Sequence, residues 1–170
     1  MPKKRAEVTD STASGDRIVT VNRRARRNYE ILDTVDAGIV LTGTEIKSIR
    51  DGKVNIAGAF ARFDDGELWL HNAHISPYPA AGQAAQHEPL RTRKLLLHRR
   101  EIQRFGHAVE AQRLTMVPLR LYIRKHLAKV EVALARGRTH SDRREVIKRR
   151  DADRDMARER RRGRTLYGDS

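Results

Sequence analysis

The densest chemistry in the sequence is a run of arginines. Arg23, Arg24, Arg26 and Arg27 place four guanidiniums within five positions, directly after Asn22. A guanidinium can donate two parallel hydrogen bonds to one phosphate, so such a run beside a folded body can grip several phosphates. The bland alternative is a solvated arm. The rest of the chain argues against it, because 36 Lys+Arg face 22 Asp+Glu, a net charge of +14. An excess of that size attracts polyanions, nucleic acid first among them. A second basic group, Arg91-Thr92-Arg93-Lys94, leads into Leu95-Leu96-Leu97. It reads as a strand with a basic entry, and a leucine left exposed there could pack on a base or a ribose.

No other set of residues supplies reaction chemistry. The seven histidines are scattered, none with a Ser or Cys and an acid at a catalytic spacing. His71 and His74 lie three apart, which on a strand puts them on opposite faces and unsuits them for a shared metal. Asp64-Asp65-Gly66 reads as a hairpin turn before it reads as an acid/base pair. There is no Gly-rich loop ending in Lys-Ser/Thr to cradle a nucleotide phosphate. With no cysteine, disulfides, thiolate metal sites and a Cys nucleophile are excluded. The expectation is therefore a binding protein with no catalytic residues, no metal and no cofactor. Aromatic residues make up only 5%. That scarcity points to structured RNA read by phosphate and shape more than to a string of stacked bases. No long apolar run or wide-faced basic helix suggests a membrane. Residues 1–17 carry no apolar stretch of the secretory kind, so a cytoplasmic location is expected.

The elements that must carry these residues are short. Residues 1–20 are polar and charged, and are expected to form a disordered N-terminal arm. Residues 21–136 hold most of the apolar content, enough for one modest core. Tyr29 to Leu41 reads as strand, a turn or bulge at Asp36-Ala37-Gly38, then strand. Thr42 or Thr44 can cap a helix running through Arg50, with Ile46 and Ile49 inward and Gly52 ending it. A hairpin is predicted around Asp64-Asp65-Gly66, with Glu67 to Ile75 as its return strand. His98 to Gln112 is the clearest helix, with Ile102, Phe105 and Val109 on one face. Leu119, Leu121 and Ile123 then share one face of a strand, and Val130, Val132 and Leu134 one face of the next, with a turn near Lys125-His126. About six short strands with two to three helices suggest a mainly β, OB-like small antiparallel barrel, whose closure leaves no exposed edge.

Residues 137–170 differ in kind. They hold 12 Lys+Arg against 7 Asp+Glu and few apolar residues. Opposite charges recur at helical spacing, as in Glu145/Arg149 and Asp155/Arg158. Such a segment can form a helix but has no apolar face to dock, so disorder when free and order on a partner are expected.

Five stretches then match a known family in order and spacing: NRRARRNYEI, DAGIVLTGTEIKSIRDGKVNI, NAHISPY, RTRKLLLHRREI and ARGRTHSDRREVIKRRD. Across residues 21–151 the chain resembles the SmpB family of SsrA-binding proteins. The resemblance implies an OB-like barrel that binds the tRNA-like domain of transfer-messenger RNA (tmRNA), standing in for a missing anticodon arm. It implies delivery of that RNA to stalled ribosomes, with the basic tail entering the empty mRNA channel at the small-subunit decoding centre and becoming helical there. By resemblance the RNA face includes Asn22, Arg24, Arg26, Asp36, Glu45, Lys47, Asn72, Leu96 and Lys129, beside Arg23 of the basic run. The family commonly has glutamate where Asp36 stands, and an aromatic or His where Ser141 stands, with His140 one place earlier here. The tail residues implied in ribosome contact are His140, Asp142, Arg143, Arg144, Lys148, Arg149 and Arg150. A monomer is expected. The alternative reading is a ribosomal or translation-factor-like OB protein that binds rRNA directly.

Overall fold

The computed structural model describes residues 15–166, with side-chain surroundings given through Arg161. In chain order the elements are β1 (Arg17–Val21), α1 (Ala25–Asn28), β2 (Tyr29–Ile39), α2 (Gly43–Arg50), β3 (Val54–Asn55), β4 (Phe60–Asp64) and β5 (Glu67–His71). Then follow β6 (His74–Ile75), β7 (Arg93–Leu96), α3 (Arg99–Gln112), β8 (Thr115–Arg124), β9 (Leu127–Gly137) and α4 (His140–Leu166). Strands run in the order β8-β4-β5-β7-β2-β9, and β9 pairs back onto β8, so six antiparallel strands close into a ring. The expected closed barrel is therefore the observed architecture. Strand β1 shares one edge of β8 with β4: β4 meets it at Met116, and β1 covers Arg120 to Ile123.

Two tight turns set the register. Asp65 and Gly66 join β4 to β5 with φ of 52° and 72°. Lys125 and His126 join β8 to β9 with φ of 47° and 67°. Left-handed geometry at both central residues matches the twist of paired strands. The ring encloses Val35, Ala37, Leu68, Leu70, Leu95, Met116, Leu121, Val130 and Val132. Helix α2 adds Ile49 and α3 adds Phe105 to this cluster. On the outside, α1 packs Ala25 against Val117, Leu119, Ala133 and Ala135.

Several elements depart from what periodicity predicts. Strand β2 does not turn at Asp36-Ala37-Gly38. These residues continue the ladder opposite Glu131, Val130 and Lys129. Gly38 is needed for close approach: a Cβ there would stand 3.3 Å from the Leu96 Cβ. The row Leu119, Leu121, Ile123 does not share a face. A register shift between Pro118 and Arg120 turns Leu119 toward α1 and Leu121 into the barrel. Proline lacks the N–H of a regular ladder, so an irregularity beside it is expected. The return strand predicted to reach Ile75 breaks at Asn72, whose φ is 58°, and the short β6 pairs with β3 instead. Strand β1 pairs with β8 and begins at Arg17, inside the segment 1–20 read as a disordered arm, and Val19 packs against the core. Residues 1–14 of that arm lie outside the described residues.

The segment predicted to be disordered when free is here one helix, α4. Apart from Arg143 and Val146, its side chains are exposed through Arg161. The charge spacing that suggested a helix is present, with Arg158 4.0 Å from Asp155. No helix among the described residues is long and apolar enough to cross a membrane.

Candidate nucleic-acid interface

The arginine run begins where β1 leaves the sheet. Asn22 holds that corner. Its amide nitrogen donates to the Pro118 carbonyl at 3.0 Å and the Ile56 carbonyl at 3.4 Å, and its Oδ1 accepts from the Ala25 N–H at 3.2 Å. The side chain is buried, so every polar group it has is used inside the protein. Asn22 thus positions the arginines and has no free edge for RNA. The single turn of α1 then splits the run. Arg23, Arg26 and Arg27 line a cleft of about 650 Å³ with Arg120 and Glu131, and with Arg150 and Arg154 of α4. Arg24 lines a smaller hollow of about 330 Å³ with Asn28, Gly58, Phe60 and Thr115. All four arginines are exposed.

Three residues singled out by resemblance meet around Gly38 on the outer wall. Gly38 lies opposite Leu96 on β7 and Lys129 on β9. Asp36 is two residues along the same face of β2, opposite Glu131. Leu96 is 51% exposed, so it is the leucine of its run that faces solvent, while Leu95 is inside. Beneath this group lies Tyr122, fully buried, with Arg120 and Arg124 at 5.3 and 5.1 Å from its ring. Burial pushes the Tyr122 hydroxyl pKa up, and the Asp36 carboxylate pushes it the same way. Arg124 is held by Asp16 through two hydrogen bonds of 2.8 and 2.7 Å. Arg120 pairs with Glu131 at 2.7 Å.

Glu45 behaves differently from the others. It is fully buried in α2, and so is its partner Arg93. Its Oε1 accepts from Arg93 Nε at 2.8 Å, and its Oε2 accepts from Arg91 Nη2 at 2.8 Å and the Thr42 N–H at 2.9 Å. The Arg93 guanidinium also donates to the carbonyls of Ala73 (2.8 Å), Arg91 (2.9 Å) and Pro89 (3.1 Å). Burial pushes the Glu45 carboxyl up. The Arg91 and Thr42 hydrogen bonds and the Arg93 charge outweigh it, holding the pKa at about 2 against an ordinary 4.5. Glu45 therefore fastens α2 to the segment between β6 and β7 and presents no oxygen to RNA.

The same segment is held twice more. Thr44 Oγ1 meets His87 Nδ1 at 2.8 Å, and the Lys47 ammonium stands 5.4 Å over the Tyr78 ring. Lys47 and Asn72 are exposed, but they sit away from the Gly38 group, on α2 and at the β5–β6 break. Sequence reasoning gave Arg91 and Arg93 only as a basic strand entry. The missed signal is parity: Arg93 stands two before buried Leu95, so both must point inward.

In the tail, Asp142 closes the start of α4. It accepts from the Thr139 N–H at 3.0 Å and the Thr139 hydroxyl at 2.6 Å, and the hydroxyl bond, then the backbone one, lowers its pKa. An acid in this place satisfies an orphan donor at a helix start. His140, Arg144, Lys148, Arg149 and Arg150 are exposed, and Arg143 is half-buried.

This arrangement has close counterparts. The model of the family described as SmpB protein matches residues 19–162. An SsrA-binding protein of a Nostoc species is 56% identical over 142 residues, covering 84% of this chain and 92% of that protein. An SsrA-binding protein of a Roseiflexus species is 55% identical over 143 residues, covering 84% and 90%. A solved chain from work described as "tmRNA-SmpB: a journey to the center of the bacterial ribosome" is 49% identical. It superposes with a TM-score of 0.61, covering 75% of this chain and 93% of that one. The match runs from β1 through the barrel into α4, across both arginine-bearing faces, and on that ground the chain belongs to the SmpB protein family.

Proposed function

We propose that this protein binds the tRNA-like domain of tmRNA and brings it to ribosomes stalled without a codon. The observation that carries the reading is the 56% identity to an SsrA-binding protein over 142 residues. The solved relative, described by its tmRNA and the ribosome, supports the same partners.

The division of labour follows the geometry. Arg23, Arg24 and Arg26 hold phosphates from a corner that Asn22 fixes. Lys129 adds a cation beside Leu96, whose exposed side chain can pack on a ribose or base. Asp36 accepts from a base amino group or a 2′-hydroxyl, as an acid in an RNA interface must. Lys47 and Asn72 extend the contact past α2. Glu45 acts through Arg91 and Arg93 as a support. In α4, Arg143, Arg144, Lys148, Arg149 and Arg150, with His140 near the helix start capped by Asp142, face the mRNA channel at the decoding centre. We take this helix to be ordered there and frayed when free, because it docks no apolar face on the barrel. The protein works as a monomer in the cytoplasm and makes and breaks no covalent bond.

The test is recovery of the protein from cells with sequencing of its RNA. A small stable RNA with a tRNA-like end supports the reading. Recovery of rRNA alone would overturn it in favour of direct ribosome binding.

A further inference from the structure

We infer that the outer wall of β4, β5 and β7 carries a stacking site for an unpaired nucleobase, with Trp69 as its floor. This deepens the proposed function and rests on it. Trp69 is the chain's single tryptophan, and it is not in the core. Leu68 and Leu70 on either side of it point into the barrel and are fully buried, so the strand turns the indole outward. Ladder partners put Arg62 of β4 on one side of Trp69 and Lys94 of β7 on the other. Each strand lies roughly 5 Å away, so a cation flanks the indole at both edges. Arg62 is exposed and makes no ion pair among the described residues, while Lys94 reaches Glu67. No cation stands over the Trp69 ring among the described residues, and its N–H donates to none of them.

Next along the same strands, Phe60 and His71 lie flat against each other, with centroids 5.1 Å apart and planes 8° apart. Phe60 is exposed at the edge, and it borders the hollow that Arg24 lines. In the other direction the Trp69 row adjoins Leu96 and Val40, which are 51% and 44% exposed. An aromatic stripe thus connects the arginine corner to the Gly38 group. Flat apolar surface edged by Arg62 on one side and the Glu67-paired Lys94 on the other fits a base with its phosphates, since every base has a π-face and every linkage a negative charge. A sheet that needed only cross-strand packing would gain as much from Val or Thr beside Arg62 and Lys94.

A single tryptophan makes the site its own reporter. The tRNA-like domain of tmRNA, with its unpaired loop, is titrated into the full-length protein while Trp69 emission and RNA anisotropy are followed together. We expect quenching in step with binding, and none with a fully paired duplex of equal length. W69L should weaken binding by about tenfold, the size of one base–aromatic contact, with W69F retaining most of the affinity. Should W69L fail to fold, W69F and the quenching of the wild-type protein carry the test. Binding without quenching, quenching by the duplex as well, or W69L with wild-type affinity overturns the stacking site and leaves RNA binding standing. Absence of binding at moderate ionic strength overturns both.

Discussion

Burying a carboxylate is costly unless positive partners and donors replace water. Glu45 has both, and its stability contribution has a definite pH window. Its folded pKa of about 2 lies below the ordinary 4.5. The unfolded chain therefore binds the proton more tightly. The stabilisation is complete above pH 4.5 and is lost as pH falls toward 2, amounting to about 3 kcal/mol. Urea unfolding across that range should show the loss, and E45Q should flatten this acid limb. E45Q also leaves the fully buried Arg93 without its counter-charge, so at neutral pH it should be less stable by about 3 kcal/mol. Replacing Arg24 and Arg26 with alanine should do the reverse. Both are exposed, so the melting temperature should barely move while RNA affinity falls. Filter binding alongside thermal melts separates the two cases. These residues also show where the sequence was legible. A run of arginines marks a candidate phosphate grip without a structure. That Asn22 and Glu45 serve the fold follows only from what surrounds them, because a motif gives residue type and not which way a side chain points.

At the scale of elements, period and turn chemistry found the hairpin at Asp65-Gly66, the α2 and α3 helices and the β8–β9 pair. They failed where tertiary pairing overrides local pattern. Asp36-Ala37-Gly38 has the composition of a turn, but β9 on one side and Leu96 on the other hold it in a strand. The row containing Leu119 was split by an irregularity that no two-residue period reveals. Helix α4 invites an element-level experiment. It leaves the barrel after Gly137 and faces α1 across the arginine-lined cleft. Guanidiniums from both sides meet there, so electrostatics gives the helix little reason to stay. Removing residues from 137 onward should leave affinity for the tRNA-like RNA within a few-fold and abolish ribosome rescue. A reconstituted tagging reaction reads the second effect and gel shift the first. Loss of RNA affinity on truncation would place part of the RNA site in α4.

At the scale of the molecule, the barrel is a rigid holder for separated cations. Arg23 and Arg24 in the turn before α1, Lys47 on α2, Arg62 on β4 and Lys129 on β9 lie far apart in sequence, yet one closed ring of strands fixes their spacing. A net charge of +14 also repels itself, and an RNA relieves that repulsion by replacing small counter-ions. Counter-ion release sets the magnitude. Each phosphate neutralised should contribute roughly −0.7 to −0.9 to the slope of log affinity against log salt, so five contacts give about −4. Measured from 50 to 300 mM salt, the full chain should show a slope near that value. The R24A/R26A protein should show a shallower slope by about 1.5, since two cations leave the interface. W69L should lower the whole line without changing its gradient, because stacking releases no counter-ions. Parallel lines for wild type and R24A/R26A would show that those arginines never reach a phosphate. The RNA would then be gripped from another side of the barrel.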